Sequence, residues 1–244
     1  MDYAEHPIPP VLDGLVTAIW SLRGHGAPDD RVTQTATPDG CVELIRRLDG
    51  RSWWNGEQPA RFVTGLSETP IDFTMSGDAA FVGMRMWPWT WAMLDGPPAP
   101  AFAGRWRELD PAGAAHAVLD DPAALAERLA AALATRDAGP IARAVPGAIS
   151  VADIVAASER PHRAVQRWFA QIVGMPPRRY LRLSRFRAAL LDLPGSPATL
   201  ADHASASGFA DQAHMAREFR AHAGAPPREV RARAIGPFLP GGER

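Results

Sequence analysis

Glutamine and arginine recur at matched places in two short stretches of this chain. In GFADQAHMAREFR, residues 208–220, Met215 and Phe219 stand four apart and would share one face of a helix. At about 100° per residue, the opposite face is Ala213, Arg217 and Arg220, edged by Gln212, His214 and Ala216. Fifty residues earlier, Val165 and Phe169 take the places of Met215 and Phe219. Opposite them lie Arg163, Arg167 and Ala170, with Gln166 alongside. Arginine can donate two parallel hydrogen bonds to a guanine edge, and glutamine can pair in the same bidentate way with adenine. Small side chains such as Ala213 and Ala216 let a helix come close enough to touch a thymine methyl. A solvated basic face is the ordinary reading of either stretch alone. Recurrence at equivalent positions favours recognition of nucleic acid, with some of these arginines on phosphate rather than on bases.

Such side chains need a helix held by a small folded unit, and the chain repeats that unit. RWFAQIVGMPPRR (167–179) overlays REFRAHAGAPPRE (217–229) at a shift of 50, matching Arg167/Arg217, Phe169/Phe219, Gly174/Gly224, both prolines and Arg178/Arg228. Upstream, ADIVAAS (152–158) overlays ADHASAS (201–207) at a shift of 49. The second copy therefore has one extra residue between its two helices. Matched helix–turn–helix copies are a repeat signature rather than a chance likeness. Asp211 is placed to cap the second outward-facing helix. Arg178 and Arg228 follow the Pro-Pro turns, where a phosphate contact would fall. Between the copies, YLRLSRFRAALLDL (180–193) predicts a connecting helix with Leu183, Phe186, Leu190 and Leu193 on one stripe, stopped by PGSP (194–197).

Charge divides the chain in the same place. Residues 1–148 carry a net −7, residues 149–235 a net +6 and the tail 236–244 none, for −1 overall; every basic residue besides histidine is arginine. Only the second part suits a polyanion. With 244 residues and 46% hydrophobic content, there is ample material for one large domain or two modest ones. The single cysteine, Cys41, can form no internal disulfide and reads as a small hydrophobe. No apolar run reaches the roughly 18 residues of a membrane span, and MDYAEHPIPP lacks the pattern of a signal peptide. The expectation is a cytoplasmic, nucleoid-associated protein with no membrane partner.

The first part reads mostly as strand: 16–22, 31–37, 41–48, 61–66, 71–75 and 80–87 are short β-branched or aromatic runs divided by turn signals. Asp49-Gly50 between two such runs predicts a hairpin. PWTWAMLDG (88–96) predicts a short helix with Pro88 at its first position and Gly96 past its end. A helix over 121–136 would set Leu125, Leu129, Ala132 and Leu133 on one face. The Gly- and Pro-rich stretch that follows reads as a linker. The whole is thus a two-domain α+β protein: a β-rich, barrel-like domain over 1–136, a linker over 137–148, an all-α domain of two helix–turn–helix units over 149–235, and the tail.

Seven of the eight tryptophans precede the linker: Trp20, Trp53, Trp54, Trp87, Trp89, Trp91 and Trp106. They suit either core packing or an aromatic pocket for an apolar or cationic effector. Glu43 alternates with Cys41 and Ile45 and could point inward, there to meet a cationic ligand or to pair with Arg85. Trp20, Glu43, Arg85 and Trp87 are the candidate effector residues. A cupin-like small-molecule enzyme is the rival reading, but the expected strands hold no histidine for a metal centre. No catalytic site, metal or cofactor is expected. An architectural DNA-binding protein without an effector is the other alternative.

VQRWFAQIVGMPPRRYLRLSRFRAALLDL and LADHASASGFADQAHMAREFRAHAGAPPREVRA resemble the DNA-binding domain of AraC/XylS-type bacterial transcription regulators. The resemblance implies two recognition helices in successive major grooves of double-stranded DNA. The first would present Arg163, Gln166 and Arg167, and the second Gln212, Ala213, His214, Ala216 and Arg217. One departure lies in the first turn, where the family's Gly followed by a Ser cap is replaced by SERP, with Glu159 and Pro161. The segments 37–50, 62–70, 81–98 and 106–110 resemble the β-rich sensor domain of a subgroup of these regulators. The resemblance implies a small-molecule effector of unnamed chemistry, and leaves RNA polymerase and a second copy of the chain as further partners.

Overall fold

The structure, a computed structural model, describes residues 1–94, 97–193, 199–233 and 238–240. The expected stops at Gly96 and PGSP lie outside the described residues. Chain order is β1 (Asp2–His6), β2 (Val16–Arg23), β3 (Arg31–Ala36), β4 (Val42–Asp49), β5 (Ser52–Trp53), β6 (Arg61–Thr64), β7 (Ile71–Ser76) and β8 (Ala80–Met86). Then follow α1 (Pro88–Ala92), β9 (Trp106–Glu108), α2 (Ala114–Val118), α3 (Leu125–Leu133), α4 (Gly139–Ala144), α5 (Val151–Ser158) and α6 (His162–Trp168). Last come α7 (Pro177–Asp192), α8 (Leu200–Ala206), α9 (Gln212–Ala223), α10 (Pro227–Arg233) and β10 (Phe238–Pro240).

The strands form two antiparallel sheets, one of six in the order β1-β2-β8-β4-β6-β9 and one of four in the order β10-β3-β7-β5. They face each other without closing into a barrel. The two-residue period of a strand sorts the six-stranded sheet's side chains cleanly. Trp20, Leu22, Glu43, Ile45, Phe62, Phe81 and Arg85 face the inter-sheet space. The residues between them, Ile19, Leu44, Val63, Met84 and Met86, are buried against the helices on the other face. The sheet is therefore covered on both sides.

Two sequence expectations are corrected. The Asp49-Gly50 turn does not close a hairpin. β4 continues the six-stranded sheet, whereas β5 pairs with β7 in the other one. Two hydrogen bonds between Arg51 and Ser76 draw the chain across: the Arg51 N–H donates to Ser76 Oγ at 2.8 Å, and the Ser76 N–H donates to the Arg51 carbonyl at 2.9 Å. The stretch 137–148 is not irregular either. It holds α4, with Ile141, Ala142 and Val145 buried, and α4 packs on α5. Apolar residues from the β-rich part and from both helix–turn–helix units join one continuous core.

Candidate nucleic-acid interface and effector cavity

Each helix–turn–helix unit is set by its caps. Ser150 and Asp153 form a reciprocal capping box at the start of α5. The hydrogen bonds that Asp153 accepts from the Ser150 and Ile149 N–H groups hold its carboxyl below the usual range. In the second unit Thr199 caps α8, and Asp211 caps α9 by accepting the His214 N–H at 2.6 Å. α6 runs on through a π-helical turn, Phe169–Val173, so both recognition segments span twelve residues, 162–173 and 212–223. Both end at a left-handed glycine, Gly174 and Gly224. From the start of one helix to the start of the next is eleven residues in the first unit and twelve in the second, which accounts for the one-residue slip in the repeat.

Val165, Phe169, Met215 and Phe219 are fully buried, as the spacing requires. Arg163, Gln166, Arg167, Gln212, Ala213, Arg217 and Arg220 are all exposed, as are Arg178 and Arg228 at the Pro-Pro turns. Two candidates sit differently. Ala216 is half-buried, and His214 turns back on its own unit. Its ring lies edge-on to Phe209 at 5.4 Å, and its Nδ1 accepts the Ala210 N–H at 3.3 Å. α7, whose Leu183, Phe186 and Leu190 are buried together with Leu193 just past its end, connects the two units. Arg182 on α7 donates to the buried Glu218 of α9 at 2.5 Å, tying the connector to the second recognition helix.

A cavity of about 100 Å3 lies between the two sheets. One buried water needs roughly 10–15 Å3 on the same measure, so there is room for a small organic molecule. Trp20, Glu43 and Arg85 line it, together with Trp54, Phe62 and Phe73. Trp87 does not. It stacks on Trp89 at 5.2 Å, beneath the Arg187 guanidinium of α7 at 5.3 Å. Position 87 follows the last residue of β8, and Pro88 starts a helix there, so strand alternation no longer fixes its direction.

Glu43 and Arg85 are register partners on β4 and β8 and do pair, with Arg85 Nε donating to Glu43 Oε1 at 2.8 Å. Asp39, which sequence reasoning did not single out, is the third member, its Oδ2 2.7 Å from Arg85 Nε. Its Pro-Asp-Gly setting signals a turn and nothing about the distant Arg85. Burial opposes the Arg85 charge, but Glu43 and Asp39 outweigh it and hold the guanidinium pKa above its ordinary value. Burial raises the Glu43 carboxyl despite Arg85. Burial, and then the Asp39 charge, push the Cys41 thiol up to about 12, so at neutral pH it is no nucleophile. Among the described residues no three His, Cys, Asp or Glu gather as a metal site, and no helix is long and apolar enough to cross a membrane.

Cavity and helices are joined at two loops. The 37–41 loop supplies Asp39 and Cys41 to the cavity wall, and at Gly40 its carbonyl accepts the buried Tyr180 hydroxyl of α7 at 3.0 Å. Gly40 has φ +73°, and its Cα lies so close to the Tyr180 ring that a Cβ would stand 3.2 Å from it. The 65–71 loop supplies Gly65, Ser67 and Ile71 to the wall. Its Glu68 pairs with Arg179 of α7, and the Glu68 carbonyl lies 3.0 Å from His222 Nδ1 of α9.

A family model described as a helix-turn-helix domain matches residues 151–233, the span of both units. Those residues are a helix-turn-helix domain of the AraC type. The chain is a DNA-binding protein of transcription regulation. Residues 4–106 match a second model, a domain of unknown function, DUF6597. No curated protein sequence matches the chain. Solved structures of ToxT from Vibrio cholerae are similar. One from strain O395 is 9% identical, with 87% of this chain and 95% of that chain covered and a TM-score of 0.44. One with an unsaturated fatty acid bound, from strain SCE256, is 10% identical, with 86% and 91% covered and a TM-score of 0.46.

Proposed function

We propose that this regulator binds a specific DNA site through the outward faces of α6 and α9, and that a small molecule in the inter-sheet cavity controls that binding. The cavity's contact with α7 through Gly40 and Tyr180 carries the second part of this reading. Residues 149–235 are the DNA-binding part, and residues 1–136 the sensing part. A ligand that binds one arrangement of the 37–41 loop better than another must shift the population of α7 positions coupled to it. Because α7 sets where α6 and α9 stand relative to each other, DNA affinity changes with it. Arg217 and Gln212 read bases, and Arg228 holds phosphate. Contact with RNA polymerase and pairing of two copies are compatible with this arrangement.

The test is site selection with the full-length chain, followed by titration at several salt concentrations. Affinity should fall steeply between about 50 and 200 mM salt as phosphate contacts release counterions. Arg217→Ala and Gln212→Ala should each relax preference at defined base pairs, by roughly 1–3 kcal/mol of discrimination. Arg228→Ala should weaken binding about equally on all sequences. An unchanged selected motif in Arg217→Ala would mean that α9 does not read bases with this face.

A further inference from the structure

Polar groups in the cavity are unequally matched. Arg85 is the one cation among the residues that line it, and its guanidinium is engaged: Nε and Nη2 contact Glu43 Oε1, Nε also contacts Asp39, and Nη1 lies 3.7 Å from Glu5. Arg85 is 2% exposed, so it can hardly turn to meet a newcomer. Three carboxylates thus surround one guanidinium. Asp39 spends its second oxygen on the Cys41 N–H at 2.9 Å. Glu43 does not: both of its contacts with Arg85 run through Oε1, and among the described residues Oε2 has no partner. That oxygen has lone pairs to offer a ligand's N–H groups. The remaining wall is mostly apolar and aromatic, with Trp20, Trp54, Phe62, Phe73 and Phe81, and carries the neutral polar side chains of Thr37, Gln58, Thr64 and Ser67.

We infer that the cavity takes an apolar molecule bearing a single cationic nitrogen, whose N–H groups donate to Glu43 Oε2 while its hydrocarbon or aryl body lies among the tryptophan and phenylalanine rings. Electrostatics decide against an anion. A carboxylate entering the cavity would meet a surplus of negative charge and an arginine already paired, whereas an ammonium restores neutrality and completes the glutamate's hydrogen bonding. Aromatic faces add attraction for a cation and none for an anion. A neutral apolar molecule would gain burial but leave Oε2 without a donor. Burial has raised the Glu43 carboxyl, and a bound cation would bring it back down.

This inference rests on the cavity being the effector site, and one set of ligands separates the two ideas. The probes are 4-phenylbutylamine, 4-phenylbutanol and 4-phenylbutanoate, which share a skeleton and differ in charge. Each is titrated into the full-length chain by calorimetry near neutral pH, and DNA affinity is measured with and without it. The amine should bind at least about tenfold more tightly than the butanoate, the scale of one charge-assisted hydrogen bond. Glu43→Gln should remove most of that preference. The wild-type comparison needs no variant, so a misfolded Glu43→Gln protein leaves the test intact. Equal or tighter binding of the butanoate would overturn the inference, as would no binding of the amine up to about 5 mM or an unchanged preference in a folded Glu43→Gln protein. Binding of the alcohol or butanoate at least as tight as that of the amine, with a shift in DNA affinity, would keep the effector reading and discard the cationic class. Amine binding that leaves DNA affinity unchanged would do the reverse.

Discussion

Glu159 shows what one residue contributes in a turn. It ends α5 in the left-handed conformation, φ +53°, as Gly208 does after α8 with φ +74°. A side chain in that region costs roughly 1 kcal/mol, which glycine avoids. Glu159 is also exposed and negative, next to the helix that is to meet phosphate. Glu159→Gly should therefore raise stability by about 1 kcal/mol in denaturant titrations, and should strengthen DNA binding on all sequences alike. Unchanged or lower stability would mean that the turn is held by something other than backbone preference. The irregular turn was legible in SERP because glycine was missing where the family resemblance implies one. Burial of Val165, Phe169, Met215 and Phe219 was legible for a similar reason, since 3.6 residues per turn leaves few alternatives. Asp39 was not, because its partner Arg85 is brought to it only by the pairing of β4 with β8.

Between elements, the Tyr180 hydroxyl is a direct polar link from the cavity wall to α7. Removing it in Tyr180→Phe leaves the ring packed between Trp89 and Phe169 but leaves the buried Gly40 carbonyl without its donor. That should cost about 1–3 kcal/mol of stability. The more telling readout is the ratio of DNA affinities with and without a cavity ligand, which should move toward unity while ligand-free DNA binding changes little. A ratio equal to the wild type's would place the coupling elsewhere, with the Glu68 contacts to Arg179 and His222 next in line. Element positions were largely visible in the sequence: six expected strands are β2, β3, β4, β6, β7 and β8 within a residue or two. Which strands pair was not. Local turn chemistry at Asp49-Gly50 is outweighed by the pull of β7 on β5, a contact over twenty residues away. Trp87 was misplaced for the same reason, since only the packed α7 reveals its partner Arg187.

At the scale of the whole molecule, a β-rich part of net −7 is packed against a basic part of net +6, with one apolar core running through both. The charge split and the repeat announced two parts, while the shared core came only with the fold, because its contacts join residues far apart in sequence, such as Trp89 with Trp168 and Tyr180. The central claim is that one chain places two recognition helices in successive major grooves. α7 has sixteen residues, so at 1.5 Å per residue it spans roughly 24 Å, and the half-widths of the two units extend that to about 34 Å, one turn of DNA. The direct measurement is a gel-shift series with the full-length chain on its selected site, with zero, five or ten base pairs inserted between the two contacted segments. Binding should be tight at zero, collapse at five because the second segment turns to the opposite face, and stay weak at ten because the segments then lie too far apart for α7 to span. Undiminished binding at five would contradict the account, leaving a single unit, the second, in contact with DNA.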